Sequence, residues 1–252
     1  MALLGGKTII LTGAGSSVGR AAAALFRDQG AALVLVDRDR ARIPGDDDAL
    51  VIEADLTAAG ACARMVADAE ARFGAIDGLA NSFGIDPPTA RGTLETSEED
   101  FDRILLVNLK AVFLCCRAVL PALRRRGGGA IVNIASQGAL LALPGMTAYG
   151  VSKAGVLQLT RQIAADHGRE NIRANCVCPS GLESPSLDRA AILDAAQLAR
   201  RTEAMKAMAP LGRVCTPADV ARAMLFLLSD LSGFTTGAAL PVEGGGTMAL
   251  RF

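Results

Sequence analysis

The sequence predicts an α/β fold: one doubly wound domain whose parallel sheet carries helices on both faces. Three observations carry that expectation. Short β-branched or Leu-rich runs alternate with longer Ala-rich stretches from end to end. Those runs are continuously apolar rather than alternating, as strands buried on both faces are. A Gly-rich turn joins the first run directly to a helical stretch. At 252 residues, 51% of them apolar, the chain is long enough to bury a sizeable core. No repeat, low-complexity linker or composition shift marks a boundary, so residues 1–252 are expected to form a single domain.

The strands are read at Thr8–Thr12, Ala32–Val36, Leu50–Glu53, Ile76–Ala80, Ala130–Ile134, Ile172–Val177 and, last and short, Ala239–Val242. Helical stretches are expected near 17–29, 57–73, 98–126, 147–169 and 217–229. The third opens at Thr96-Ser97-Glu98-Glu99 and closes at Arg124-Arg125-Arg126-Gly127, so both ends complement the helix dipole. Between about 181 and 211 the rhythm breaks into a long insertion with helical patterning and no strand, the usual form of a lid or binding element.

Composition excludes several classes of function. Twenty-six basic residues balance 26 acidic ones, which argues against nucleic acid as the main partner. No apolar run approaches the ~20 residues that span a bilayer, so no membrane is expected. Met1–Lys7 has no basic stretch ahead of an apolar core and does not read as a signal peptide. The six cysteines (62, 115, 116, 176, 178, 215) form no CxxC and have no nearby His pair, so zinc is not expected and a reducing cytoplasm suits them. A single His leaves no room for a multi-histidine metal site.

Thr12-Gly-Ala-Gly-Ser-Ser-Val-Gly19 follows the first strand and opens a helix. Its glycines let the backbone turn sharply and let a diphosphate approach amide groups at a helix N-terminus. Gly13, Ser16, Ser17, Val18 and Gly19 are the expected contacts. The second strand ends at Asp37-Arg38, where a carboxylate accepts hydrogen bonds from both adenosine ribose hydroxyls. It would repel a 2′-phosphate by a few kcal/mol at ~4 Å and an effective dielectric of about 20, favouring NAD over NADP, although the neighbouring Arg38 weakens that preference. The plainer alternative for Asp37 is a cap on the following turn. The third strand leads to Asp55-Leu56, beside the expected adenine, and the fourth to Asn81-Ser-Phe-Gly84, with Asn81 and Gly84 near the cofactor at the carboxyl edge where such sheets bind ligands.

The fifth strand ends at Ala135-Ser136, and Tyr149-Gly-Val-Ser-Lys153 follows inside a helical stretch. The i, i+4 spacing sets the only Tyr beside one of four Lys; a chance Lys at that offset is a roughly one-in-sixty event. A phenol of pKa near 10 is a poor base at neutral pH. A lysine ammonium and an oxidised nicotinamide both favour the phenolate, and Ser136 can orient the same substrate oxygen. These residue types suit hydride transfer between a carbinol carbon and a nicotinamide.

With these motifs in place, the chain resembles the short-chain dehydrogenase/reductase family over essentially its whole length, which implies a Rossmann-type fold. Thr12, Gly13 and Gly19 match that family's TGxxxGxG, with Ser17 in place of the middle Gly; Asn81-Ser-Phe-Gly84 is similar to its NNAG loop. The resemblance implies a catalytic tetrad of Asn108, Ser136, Tyr149 and Lys153, with the Asn108 backbone carbonyl in a proton relay through Lys153 and Lys153 gripping the nicotinamide ribose. Asn175-Cys-Val-Cys-Pro179-Ser180-Gly-Leu-Glu-Ser184 resembles the N…PGxxxT segment, which implies Pro179, Gly181, Leu182 and Ser184 near the carboxamide. The terminal strand and its Gly-Gly turn, Gly237 to Gly245, carry Glu243 where the family more often has Asp. A homotetramer built through the two long helices is implied as well.

Other residues are read as structural. His167 complements a helix end, Cys115 and Cys116 belong to the core, and Cys176 and Cys178 are expected to face opposite sides of a strand. Arg124–Arg126, Arg169 and Arg173 read as solvated helix ends before they read as a carrier-docking patch. The mostly aliphatic stretches near 137–143 and 181–209 suggest an apolar small-molecule alcohol or ketone. No His or Lys lies between Ser136 and Lys153, where relatives that oxidise hydroxybutyrate carry a cationic clamp; Arg189, Arg200 and Arg201 read first as a solvated lid face. The expectation is an NAD-dependent alcohol dehydrogenase. Its rivals are an NADPH-dependent 3-oxoacyl-carrier-protein reductase and a non-catalytic NAD-binding sensor.

Overall fold

The structure, a computed structural model, describes residues 2–45, 48–87, 90–183 and 194–248. Seven strands form one sheet: β1 (Thr8–Thr12), β2 (Ala32–Asp37), β3 (Leu50–Glu53), β4 (Gly78–Asn81), β5 (Gly129–Ile134), β6 (Ile172–Pro179) and β7 (Ala239–Val242). Their order is β3-β2-β1-β4-β5-β6-β7 and every pairing is parallel. The helices are α1 (Ser17–Asp28), α2 (Ala61–Phe73), α3 (Glu98–Leu105), α4 (Ala111–Arg126), α5 (Thr147–His167), α6 (Ala195–Met208) and α7 (Pro217–Leu228).

Alternate residues of each strand enter opposite layers, as a period of two requires. Ile10, Val34 and Val36 pack beneath α2, α4 and α5, where Met65, Val112 and Val156 meet them. Ile9, Leu11, Leu33 and Leu35 pack on the other side against Phe26 of α1 and Met224 of α7. Both faces are covered, so the doubly wound reading holds. The strand order reverses between β1 and β4, and in such sheets the crevice at the carboxyl ends beside that reversal is where ligands sit.

Several local expectations are corrected. Cys176 and Cys178 face the same side, both in the α5 layer, because residues two apart on a strand share a face. The helix expected from 57 starts at Ala61: the Asp55 carboxylate accepts from Thr57 N at 2.9 Å and closes a turn, and Gly60 is left-handed at φ 77°. The helix expected over 98–126 is interrupted by a π-helical turn at Leu106–Lys110. Ser97 caps its start by accepting from Asp100 N, and left-handed Gly127 ends it.

Averaged over 18 residues, the stretch Glu98–Arg126 is apolar and long enough to cross a membrane by length and composition, although Asn108, Lys110 and Arg117 break it into short apolar runs. In this fold its Val112, Cys115, Val119 and Leu123 are buried in the core.

Candidate active site

The Gly-rich turn is tightly folded on itself. Gly13 is left-handed (φ 69°), and a Cβ there would run into the Ser82 carbonyl; a Cβ on Gly19 would overlap the Gly13 carbonyl oxygen. Ser16 caps α1, accepting from Gly19 N at 2.9 Å and donating to Ser82 O at 3.3 Å. No acidic residue occupies the first turn of α1, so its positive end stays available to an anion. Ser82 is buried, and its hydroxyl has no hydrogen-bond partner among the described residues. A glycine cradle, an open helix N-terminus and an orphaned hydroxyl at one sheet edge fit the diphosphate end of a dinucleotide. Ser17 and Val18 form the start of α1, and Ser17 is only half-buried there, so its side chain fits where the motif has its middle Gly.

Asp37 serves the turns around it: Oδ2 accepts from Gly15 N at 2.9 Å and Oδ1 from Asp39 N at 3.2 Å. Arg42 donates to the Gly15 carbonyl at 3.3 Å and Arg20 to the same oxygen at 2.5 Å, so with Asp37 on its N–H both polar groups of Gly15 are held. Sequence reasoning missed both arginines: Arg42 reaches Gly15 from 27 residues further along, and Arg20, five residues on, is not among the motif's residues. Arg38 is exposed. Asp55 is exposed, and the Thr57 hydroxyl and amide hold its carboxyl below the usual range. The Leu56 side chain turns into the core.

Asn81 is placed differently from a ligand-facing side chain. Thr12 Oγ1 donates to its Oδ1 at 2.8 Å, and its Nδ2 donates to Asn133 Oδ1 at 2.8 Å. Asn133 in turn donates to Thr160 Oγ1 of α5 at 2.9 Å. This buried polar chain crosses three adjacent strands and ties the Gly-rich turn to the helix that carries Tyr149. Only the backbone of Asn81 remains to face the crevice.

At the other end of the crevice, Lys153 is 3% exposed and donates to the Ile134 carbonyl at 3.1 Å, at the end of β5. Its Nζ lies 5.7 Å from the centre of the half-buried Tyr149 ring. Two residues past that carbonyl, Ser136 is buried and caps a short turn by accepting from Gly138 N at 3.0 Å. Asn108 lies in the π turn. Its Oδ1 accepts from Ile85 N at 2.7 Å, while Nδ2 donates to Ile85 O at 2.9 Å and to Ser152 Oγ at 3.2 Å. Ser152, missed from the sequence, donates to the Tyr149 carbonyl at 2.7 Å and so links Asn108 to the Tyr149 turn. A π turn frees backbone groups from the regular ladder and recurs at functional sites. Gly84 completes the cluster: a Cβ there would sit 3.1 Å from Lys153 Nζ and 3.2 Å from Asn108 Oδ1.

Burial pulls the Lys153 pKa from 10.5 down to about 8, with Asp86, Cys176 and Cys178 opposing it. Between those two values the unfolded chain binds the extra proton, so this group makes stability rise with pH across that window. Below it, the folded state carries the full cost of a buried ammonium. Lys153→Met removes the cost but strands the Ile134 carbonyl. The variant is expected to be more stable than the parent by about 1–2 kcal/mol at pH 7, the advantage vanishing above the unfolded lysine value. Urea unfolding at neutral and alkaline pH measures this, and equal stability at pH 7 would contradict a penalised ammonium.

The segment after β6 lies under α6. A Cβ on Gly181 would run into Met205, Arg201 donates to Leu182 O at 3.1 Å, and Leu182 bridges to Cys215. Pro179 is the last residue of β6. Ser184 and Arg189 lie outside the described residues.

The arginine triplet is paired throughout: Arg124 with Glu170 at 2.7 Å, Arg125 with Glu70 at 2.6 Å and Arg126 with Asp77 at 2.8 Å. Arg173 turns inward to Leu227 O, Ser229 O and Ser232 Oγ. His167 meets Glu170 at 3.2 Å, far along α5 from Tyr149.

Known proteins resemble this chain along its length. The family model described as enoyl-(acyl carrier protein) reductase matches residues 13–247. The chain is 37% identical to 2-(R)-hydroxypropyl-CoM dehydrogenase of Xanthobacter autotrophicus, over 96% of this chain and 98% of that one. It is 33% identical to a 3-oxoacyl-[acyl-carrier-protein] reductase of Thermotoga maritima, over 96% and 98% respectively. A solved short-chain dehydrogenase/reductase of Burkholderia xenovorans, described as putative, superposes with a TM-score of 0.92 at 32% identity, over all of both chains. With a glycine cradle, a parallel sheet of this order and relatives matched from end to end, the chain belongs to the short-chain dehydrogenase/reductase family of nicotinamide-dependent oxidoreductases.

Proposed function

We propose that the protein interconverts a secondary alcohol and its ketone with NAD(H), using Tyr149 as the acid/base. The observation that carries this reading is the Lys153 ammonium, buried at the end of β5 and 5.7 Å from the Tyr149 ring centre. A cation there favours the phenolate, so Tyr149 accepts the alcohol proton in oxidation and returns it to the ketone oxygen in reduction. A bound nicotinamide takes up or supplies the hydride. Ser136 orients the substrate oxygen, Lys153 holds the ribose, and the Asn108 backbone carbonyl supports proton exchange with solvent.

Gly13, Ser16, Ser17, Val18 and Gly19 hold the diphosphate, and Asp37 the adenosine ribose, its carboxylate having lone pairs to spare beyond Gly15 N. Asp55 and the Leu56 backbone flank the adenine, Asn81 and Gly84 the far ribose, and Pro179, Gly181, Leu182 and Ser184 the carboxamide. Residues 1–252 act as one domain, with 181–211 over the substrate mouth and aliphatic walls for an apolar substrate. Exposed Leu106, Phe113 and Val151 on the long helices support assembly into a tetramer through that face. A cytoplasmic setting suits the six free thiols.

A second reading, reduction of a carrier-bound 3-oxoacyl group with NADPH, is favoured by the Thermotoga relative. The paired arginine triplet speaks against it, because its charge is already met within the chain. An absorbance screen with sterols, cyclic alcohols, polyols and hydroxyacyl thioesters separates the two. We expect turnover of an alcohol with kcat/KM higher for NAD than for NADP. Asp37→Ser should shift that ratio toward NADP by about tenfold or more. No turnover of any compound, or a strong NADPH preference in the parent, would overturn the proposal.

A further inference from the structure

Cys62, in the first turn of α2, and Cys115, in α4, take no part in the site described above. Their sulfurs are 3.6 Å apart and both residues are buried, Cys62 keeping 6% exposure. The Cys62 thiol also donates to the Leu56 carbonyl at 3.6 Å, in the turn that carries Asp55. The other thiols are poorer nucleophiles: burial pushes Cys116 and Cys176 up to about 12, and Cys178 and Cys215 up to about 11. The hydrogen bond to Cys62 together with burial raises Cys115 well above its ordinary value, so Cys115 enters only as the neighbour that resolves an oxidised Cys62. Cys62 goes the other way. The hydrogen bond from Cys115 holds its thiol below the ordinary value, and the Arg117 guanidinium adds to that.

We propose that Cys62 and Cys115 are a site of reversible oxidative modification, where a peroxide converts the pair to a disulfide that ties α2 to α4 and loosens the Asp55–Leu56 turn. The Cys62 thiolate attacks a peroxide oxygen and the O–O bond breaks, giving a sulfenic acid and, after proton uptake, water. Cys115 then attacks that sulfur; the S–S bond forms, the S–O bond breaks and a second water leaves. The net change is two thiols and one hydrogen peroxide to one disulfide and two waters, the peroxide taking both electrons. Bond formation needs the sulfurs to close by about 1.5 Å, a displacement that side-chain rotation and a small helix shift supply. The reaction consumes the S–H that held the Leu56 carbonyl.

The experiment treats the reduced 252-residue chain with hydrogen peroxide, counts thiols after denaturation, maps the cross-link by peptide mass and measures NADH binding by fluorescence before and after. The expected result is a fall from six titratable thiols to four. It comes with a Cys62–Cys115 peptide and an NADH dissociation constant raised about fivefold, roughly one hydrogen bond's worth, all reversed by dithiothreitol. Cys62→Ser and Cys115→Ser should each block the cross-link, whereas Cys215→Ser should leave it intact. Six surviving thiols, or a cross-link between other cysteines, would overturn the proposal, and so would a correct cross-link with unchanged NADH affinity. The affinity arm rests on the dinucleotide reading above. If the reduced protein binds no NADH, that reading fails, and the mass measurement still decides the disulfide.

Discussion

Tyr149→Phe is expected to lower kcat by about a thousandfold or more, while NADH affinity stays within about twofold of the parent. The substitution deletes one oxygen and keeps the ring beside Lys153, so the fold and the ammonium environment persist. What is lost, on the proposed mechanism, is the group that takes or gives the proton as the hydride moves. Stopped-flow or steady-state turnover with the substrate found by screening, set beside NADH binding by fluorescence, measures both halves. Equal loss of binding and turnover would point to a structural role for the ring instead. Retained turnover would remove Tyr149 from the chemistry altogether.

The second large effect is expected at Gly19, where an alanine methyl would overlap the backbone carbonyl of Gly13 and press on Ala14 at 2.8 Å. Neither obstacle is a flexible side-chain end, so the turn itself must shift. Gly19→Ala is expected to cost about 1–3 kcal/mol of stability and to weaken NADH binding by about tenfold or more. Gly168→Ala is the control, because nothing lies within 4 Å of that position and its φ is −58°. The control should be neutral or slightly stabilising by thermal melting. Equal behaviour of the two variants would mean that the turn is not closely packed.

Much of this arrangement is legible along the chain because it is local. The Tyr149–Lys153 pair follows from helical periodicity, and the Gly-rich turn and the Ser97 and Gly127 caps follow from backbone geometry that few residues accept. Continuous apolar strands separated by helices predict the parallel sheet, and all seven strands appear within two residues of where the sequence places them. The misreadings have equally physical sources. Placing Cys176 and Cys178 on opposite faces contradicts the period of the strand itself. The late start of α2 follows from a side-chain turn at Asp55 that competes with helix formation. The π turn at Leu106–Lys110 has no residue signature of its own; what anchors it is Asn108 gripping both polar groups of the Ile85 backbone.

By itself, then, the amino-acid order determined the doubly wound α/β class, the cradle after β1, and the phenol and ammonium on one helix face. Tertiary structure alone decided how those groups behave. It turned the Asn81 side chain inward to Asn133 rather than toward the crevice, and it met each arginine of the triplet with a carboxylate from another element. It also brought Cys62 to Cys115 and buried Lys153 until its pKa fell to about 8. Desolvation and Coulomb energies depend on which groups surround a charge in space, and those neighbours come from strands and helices far apart in the chain.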